Sequence, residues 1–392
     1  MTGNIQKRGK HSFRLKFDIG KDATGKRVFE FVTVTGKRAE AEAELAKRLT
    51  ALNSGAYVEN SRITVKDFFD KWIATYAEGN VSAKTLEGYK SIIEHHFKPA
   101  FGSQPLQKLS PLQIQTHYAS VLKEGGRKDG RKGALNPRTV LHQHRLLSEA
   151  LEMAVRWQLL VRNPCDAVTP PNVVTKEVEA IDEDATAWLI IAAAGTRLYL
   201  PILMTTCGGL RRGEILAATW SNLDRERSIL HITRAISEPK KNVILFKEPK
   251  SKRTRKIAIP TLLMEALLAH RKEQEKTCEA LGAAFQNNDL ICCAPDGSIW
   301  KPSAFTSAYR ALIVRRKLTG PNFHALRHSH ASQMLADGVD LKTVSVRLGH
   351  SKASFTLAQY CHMLPGQDGE AARRVDTVLR KALEKAQPTK VM

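Results

Sequence analysis

No run of this 392-residue chain is apolar for long enough to cross a bilayer as a helix, and its first ten residues, MTGNIQKRGK, are polar and carry no secretory core. Cysteine is sparse: the six thiols (Cys165, Cys207, Cys278, Cys292, Cys293, Cys361) form no CxxC pair and no dense framework. That spacing argues against a disulfide scaffold and a structural zinc site, and predicts reduced thiols in a cytoplasmic protein. His324 and His328 stand four apart without the glutamate of an HExxH motif between them, so no metal is expected. Internal repeats and low-complexity tracts are missing. Acids are also scarce, at 39 against 61 lysines and arginines, and the formal net charge is +22.

A positive excess of that size, spread along the whole chain, attracts a polyanion, and nucleic acid is the expected partner. The length exceeds one ordinary core and predicts two or three domains. Near the N-terminus Phe13, Leu15, Phe17 and Ile19 alternate with polar residues, which is the period of a strand with one apolar face. GKDATG turns the chain, KRVFEFVTVTG reads as a second extended run, and KRAEAEAELAKRLTALNSG reads as a helix with Leu45, Leu49 and Leu52 on one stripe and Gly55 as its stop. Arg14, Lys16, Lys21, Lys26 and Arg27 cluster around the hairpin, so this sheet face is a candidate for a DNA groove. A module serving only oligomerisation or solubility is the alternative.

From Thr64 the period becomes helical: Val65, Phe68, Trp72 and Tyr76 recur on one face, and Val140, Leu147, Leu151 and Ala154 do so later. Between them EGGRKDGRKGALNP, residues 124–137, is a glycine-rich basic loop whose Arg127, Lys128, Arg131 and Lys132 suit either solvent or a phosphate backbone. NPCDAVTPPNVV, with three prolines within eight residues, discourages helix and predicts a linker. Beyond it LYLPILMTTCGGLRRGEILAATW is expected to be helical, which would put Arg211 and Glu214 on one face. VILFKEPKSKRTRKIAIP is expected to be a hairpin arm with Lys250 at its turn, and HALRHSHASQML a helix with His324 and Arg327 on one face.

Each of these features has an ordinary reading. An arginine and a glutamate three apart are usually a surface ion pair, and a helical tyrosine such as Tyr360 usually packs its ring. In order, however, GLRRGE, PKSKRTRK, HALRH, LGH and AQYCH resemble the tyrosine recombinase family, the phage-type integrases, with Arg211, Lys250, His324, Arg327, His350 and Tyr360 at the family's Arg, Lys, HxxR, His and Tyr positions. The resemblance extends over the whole chain. It implies a multidomain α+β fold: residues 1–55 as an arm-type DNA-binding module of a small three-stranded sheet plus helix, residues 62–168 as an all-helical, SAM-like core-binding domain, and residues 176–385 as a mainly helical catalytic domain with a small sheet.

The chemistry needs these residue types. Displacement at a phosphodiester loads negative charge onto the nonbridging oxygens, and Arg211 and Arg327 present planar forks that recognise phosphate at any working pH. His324 and His350 donate hydrogen bonds or move protons near neutrality. By resemblance Lys250 protonates the leaving 5′ oxygen, with Lys247 and Lys252 as rivals, while Glu214 orients Arg211 or a histidine. Tyr360 is then the nucleophile: its phenol, with an ordinary pKa of about 10, is assisted by nearby cations, and a 3′-phosphotyrosyl link stores the broken bond without ATP or cofactor. The expected partners are double-stranded DNA with core-type and arm-type sites, three further copies in a homotetramer on DNA, a DNA-bending host factor and an excisionase. In related integrases a tail comparable to the Val375, Leu379 and Leu383 stripe docks on a neighbouring protomer. A type IB topoisomerase-like enzyme and a catalytically silent DNA-binding regulator remain the alternatives.

Overall fold

The computed structural model describes residues 3–21, 24–53, 57–58, 61–125, 133–173, 183–247, 254–318, 322–350, 354, 356–357, 373 and 375–381. The chain divides into two compact units, Met1–Thr175 and Lys176–Met392. Helices dominate, and three small antiparallel sheets accompany them.

In the first unit β1 (Gly3–Gly9), β2 (Ser12–Lys21) and β3 (Arg27–Thr35) form a meander in the order β1-β2-β3. The expected alternation sets its two faces. Phe13, Leu15 and Phe17 point inward and are buried with Ala41 and Leu45 of α1 (Arg38–Asn53). The opposite face carries Arg14 and Lys16 of β2 beside the exposed Phe29 and Phe31 of β3. β1 lies so close to α1 that a Cβ on Gly3 would meet Leu45 Cδ1 at 2.6 Å.

A separate helical core follows. α2 (Val65–Trp72) starts at a capping box in which Thr64 and Asp67 satisfy each other's backbone N–H, and the helix runs on through a π segment, Ile73–Ala77, into α3 (Glu78–Asn80). α4 (Ala83–Ile92) continues in the same way through Ile93–Phe97 into α5 (Lys98–Phe101). α6 (Pro111–Lys123) and α7 (Pro137–Arg156) complete the bundle, and Phe68, Phe69, Trp72, Phe97, Leu147 and Leu151 are fully buried in it. The loop of residues 124–137 has a tight neck: Gly125 has a positive φ of +107°, and a Cβ there would run into the Gly133 carbonyl oxygen. The proline-rich stretch begins as a short 3₁₀ turn, Pro164–Ala167, whose Cys165 joins the helical core, as does Val168 beyond it.

The second unit is built around α9 (Tyr199–Gly208), whose Leu200, Ile202, Leu203 and Met204 are buried among α8 (Glu183–Ala193), α11 (Thr261–Leu281), α12 (Pro302–Arg315) and α13 (Phe323–Ala336). α9 ends at Gly209, left-handed with φ 64°, and Arg211 is extended (φ −77°, ψ 150°) before the single turn α10 (Arg212–Ile215). The expected continuous helix through Arg211 is therefore broken, because glycine relieves the left-handed strain that stops a helix. β4 (Leu223–Asp224), β5 (Ile229–Ile232) and β8 (Arg255–Ala258) form one sheet, and β6 (Ala235–Ser237) and β7 (Leu245–Lys247) another. The expected hairpin around Lys250 is corrected accordingly: β7 pairs with β6 and β8 with β5, so the runs on either side of Lys250 belong to different sheets. α14 (Leu341–Leu348) packs Val344 and Leu348 on Ala331 and Leu335 of α13 and ends at a second left-handed glycine, Gly349 (φ 65°). Among the described residues no helix is long and apolar enough to cross a membrane.

Candidate active site: a guanidinium cluster between two helix ends

Two left-handed glycines bring the ends of α9 and α14 together. A Cβ on Gly209 would meet Leu348 Cδ2 at 2.9 Å and His330 Cδ2 at 2.7 Å, so only glycine allows this approach. The last carbonyls of both helices then converge, and arginines satisfy them. Arg327 of α13 donates from Nη1 to the Gly209 carbonyl and from Nη2 to that of Leu348. Arg211 donates from Nη2 to the Gly349 carbonyl at 3.2 Å. Arg347 donates from Nη2 to the Cys207 carbonyl at 2.8 Å, from Nη1 to that of Ala258 at 3.0 Å, and from Nε to His330 Nε2 at 3.2 Å. His330 Nδ1 lies 2.8 Å from the Thr206 carbonyl, so Nδ1 carries the hydrogen and Nε2 accepts.

One carboxylate sits among these cations. Glu214, 2% exposed, accepts the Arg211 backbone N–H and Nη1, both at 2.9 Å, together with Arg255 Nη1 at 3.0 Å and Nη2 at 2.7 Å. Burial alone would raise its pKa, but the hydrogen bonds and charge of Arg255, then the charge of Arg211, hold it down at about 2. The imidazoles respond in the opposite sense. Desolvation, then His328 and the guanidiniums of Arg327 and Arg211, lowers His324 to about 4. Desolvation followed by Arg327 and Arg211 lowers His350 to about 4, and desolvation with Arg347 does the same for His330. All three are neutral at pH 7.

The structure thus gathers Glu214 of α10 and Arg211 just before it, His324 and Arg327 of α13, and His350 just beyond α14: Arg211 binds Glu214 and the Gly349 carbonyl, Arg327 binds the Leu348 carbonyl, and both guanidiniums act on the two candidate histidines. Thr356, fully buried, places Oγ1 2.7 Å from His350 Nδ1, four residues before Tyr360. Lys250, Tyr360, Arg127, Lys128, Arg131 and Lys132 lie outside the described residues. Arg14 and Lys16 stand on the outer sheet face, each 4.3 Å above an aromatic ring, Phe31 and Phe29 respectively. Lys26 and Arg27 are exposed at the start of β3, where Arg27 Nε is 3.9 Å from Asp18 Oδ2.

Sequence reasoning passed over Arg255, Arg347 and His330. For Arg255 a signal existed: in RKIAIP the residues Arg255, Ile257 and Ile259 alternate with Lys256 and Ala258, and the first set is buried. It also passed over Arg138, His142 and Arg145, an exposed basic stripe at helical spacing on α7 that lines a groove with Thr169, Pro170 and Asn172.

Residues 173–366 match the phage integrase family, and residues 64–122 match the phage integrase N-terminal SAM-like domain. A tyrosine recombinase XerC-like protein of Caldanaerobacter subterraneus subsp. tengcongensis is 26% identical over 95% of this chain and 98% of its own length. The ICEBs1 integrase of Bacillus subtilis is 25% identical over 90% of this chain and 96% of its own. In fold, the chain resembles the Tn1549 transposon integrase in complex with transposon right end DNA (TM-score 0.65, 17% identity, 80% of this chain and 99% of that one). It also resembles a lambda integrase tetramer bound to a Holliday junction (TM-score 0.55, 18% identity, 89% and 96%). With two left-handed glycines seating its arginines and histidines in one cluster, and with both family matches falling in the expected order, this chain belongs to the phage integrase family of tyrosine recombinases.

Proposed function

We propose that the chain is a site-specific DNA recombinase that cleaves and rejoins strands through a 3′-phosphotyrosyl intermediate, integrating or excising a mobile element. The observation that carries this reading is the convergence of Arg211, Arg327, His324 and His350, with Thr356 packed on His350 just before Tyr360. Four residues span at most ~14 Å, so Tyr360 is within reach of the cluster on its own chain.

In this reading the scissile phosphate sits over Arg211, whose side chain is 24% accessible, with Arg327 at the floor. The Tyr360 Oη attacks phosphorus, the new O–P bond forms as the bond to the 5′ oxygen breaks, and the guanidiniums stabilise the charge that builds on the nonbridging oxygens. His324 and His350, neutral at pH 7, offer nitrogens that accept the phenolic proton. Lys250 supplies a proton to the departing 5′ oxygen. Rejoining reverses these steps with another strand's 5′ hydroxyl.

The N-terminal sheet supports binding of a second, arm-type site. Its outer face offers Arg14, Lys16 and Arg27 beside two exposed aromatic rings, with Lys26 exposed just before β3. The α7 stripe and the loop residues Arg127, Lys128, Arg131 and Lys132 supply backbone contacts around the core site, and four copies assemble on paired sites with a DNA-bending host factor and an excisionase. The working boundaries are residues 1–55, 62–168 and 176–385. The test is covalent trapping. Genomic fragments incubated with the chain and denatured should yield a protein–DNA adduct enriched in one sequence, and two such duplexes should exchange strands. Relaxation of supercoils without exchange would instead favour a topoisomerase, and binding without any adduct a regulator.

A further inference from the structure

Arg255 lies within the basic run KSKRTRK, yet its side chain is only 6% exposed and, unlike a solvated lysine or arginine, each of its three side-chain nitrogens has a protein partner. Its two terminal nitrogens grip both oxygens of Glu214, and its Nε donates to the Arg347 carbonyl at 2.9 Å. The guanidinium also forms the surface on which Gly349 rests, because a Cβ on Gly349 would meet Arg255 Nη1 at 2.9 Å. One side chain therefore touches the carboxylate that holds Arg211 and the turn that carries His350.

We infer that Arg255 is the positioning residue of the reaction centre: it shares the Glu214 carboxylate with Arg211 and supports the Gly349–His350 turn, keeping Arg211 turned toward the phosphate. The inference rests on the recombinase reading above. The logic is one of competition. A buried carboxylate with Arg211 as its only cationic partner closes on that guanidinium as a fork-to-fork pair, and the hydrogen bonds used there are lost to phosphate. With Arg255 occupying both carboxylate oxygens, Arg211 gives Glu214 only one side-chain hydrogen bond, and the triad keeps one net positive charge facing the cleft. Lysine is a poor substitute, since an ammonium lacks the planar fork that reaches two carboxylate oxygens and a carbonyl together.

The experiment uses the full chain and a nicked duplex carrying its site, and measures two quantities: the single-turnover rate of adduct formation at saturating DNA, and the Kd for the uncleaved duplex. Arg255→Gln is expected to slow cleavage by about 10²-fold, the scale of losing one preorganised charged donor, with Kd changed less than about threefold. Arg255→Lys should fall between, roughly tenfold slow. The discriminating variant is Glu214→Gln combined with Arg255→Gln. A neutral amide no longer draws Arg211 away, so the double variant should cleave at least about tenfold faster than Arg255→Gln alone, which a purely structural role would not produce. Arg255→Gln cleaving at the wild-type rate, a Kd that weakens in step with the rate, or a double variant no faster than the single one overturns the inference. Should Arg255→Gln not fold, Arg255→Lys decides: unchanged cleavage overturns the inference, and slowed cleavage at constant Kd supports it. Failure of the wild-type chain to form any adduct would count against the recombinase reading and is thereby kept apart from the role of Arg255.

Discussion

On the N-terminal sheet, Arg14 and Lys16 lie over exposed aromatic rings, whereas in the C-terminal unit Arg211, Arg255 and Arg327 are held by a carboxylate and by helix-end carbonyls. The two regions use positive charge for different ends. Exposed cations act at a distance, are screened within about 10 Å at ordinary salt, and tolerate movement. Buried guanidiniums are weakly screened and fixed in direction, which suits a transition state whose charge appears at one place. Affinity and chemistry should therefore respond separately to mutation.

The largest effects are expected where that separation is pressed hardest. Tyr360→Phe should abolish the covalent adduct while leaving sequence-specific binding nearly intact, and adduct from this variant would redirect the search to another tyrosine. Arg211→Ala should slow cleavage by about 10³-fold or more, since the lost donor is charged and directional. A rate near that of the wild type would remove Arg211 from the mechanism.

Gly349→Ala comes next. Its Cβ would enter the space of the Arg255 guanidinium from a left-handed backbone, a combined strain on the order of 1–3 kcal/mol. Denaturant unfolding of the C-terminal unit should register the destabilisation, and cleavage should fall with it. Arg14→Ala and Lys16→Ala test the other side of the comparison. Each should make the log–log salt dependence of arm-site binding shallower by about 0.9 for every phosphate that is no longer neutralised, with cleavage of a short core duplex unchanged. An unaltered slope would mean that this face does not meet DNA.

The smallest expected effect is on pH. His330, buried, and His350, half-buried, are lowered to about 4 from the ordinary 6.5, chiefly by desolvation, so the unfolded chain binds more protons between those limits. Stability from these groups is complete above pH 6.5 and falls as pH drops through that window toward 4. Glu214, held at about 2 against an ordinary 4.5, adds a second loss below pH 4.5. Calorimetry from pH 7 to 4.5 should show the melting temperature of the C-terminal unit falling, and His330→Gln should flatten that dependence. A melting temperature constant over the range would contradict the neutral imidazoles of His330 and His350.

Parts of the site were legible because they depend on local periodicity. His324 and Arg327 share a face of α13 by helical spacing, and the alternation of Phe13, Leu15 and Phe17 fixed which sheet face is covered. The misreadings came from non-local choices. Strand alternation says that β7 and β8 are extended but not which strands they join, and they joined different sheets. Gly208 and Gly209 sat within an apolar run that otherwise reads as helix, and Gly209 ended it where α9 meets α13 and α14. Arg255 was hidden by its neighbours: in KSKRTRK, a run of five cations over seven residues, only the strand period singles out the one facing inward.

Apart from the Ala258 carbonyl of β8, which Arg347 also binds, the carbonyls gripped by Arg327, Arg211 and Arg347 are acceptors at the ends of α9 and α14, groups that would otherwise be left without partners where each helix stops. Finishing these two helices and assembling the cluster are thus one event. A chain built in this way has no well-folded but unarmed reserve: heat that frays the end of either helix disarms the arginines at the same moment. Activity remaining after graded heating should fall in step with helical ellipticity, where an enzyme whose reactive groups sit on a detachable loop would lose turnover long before its secondary structure.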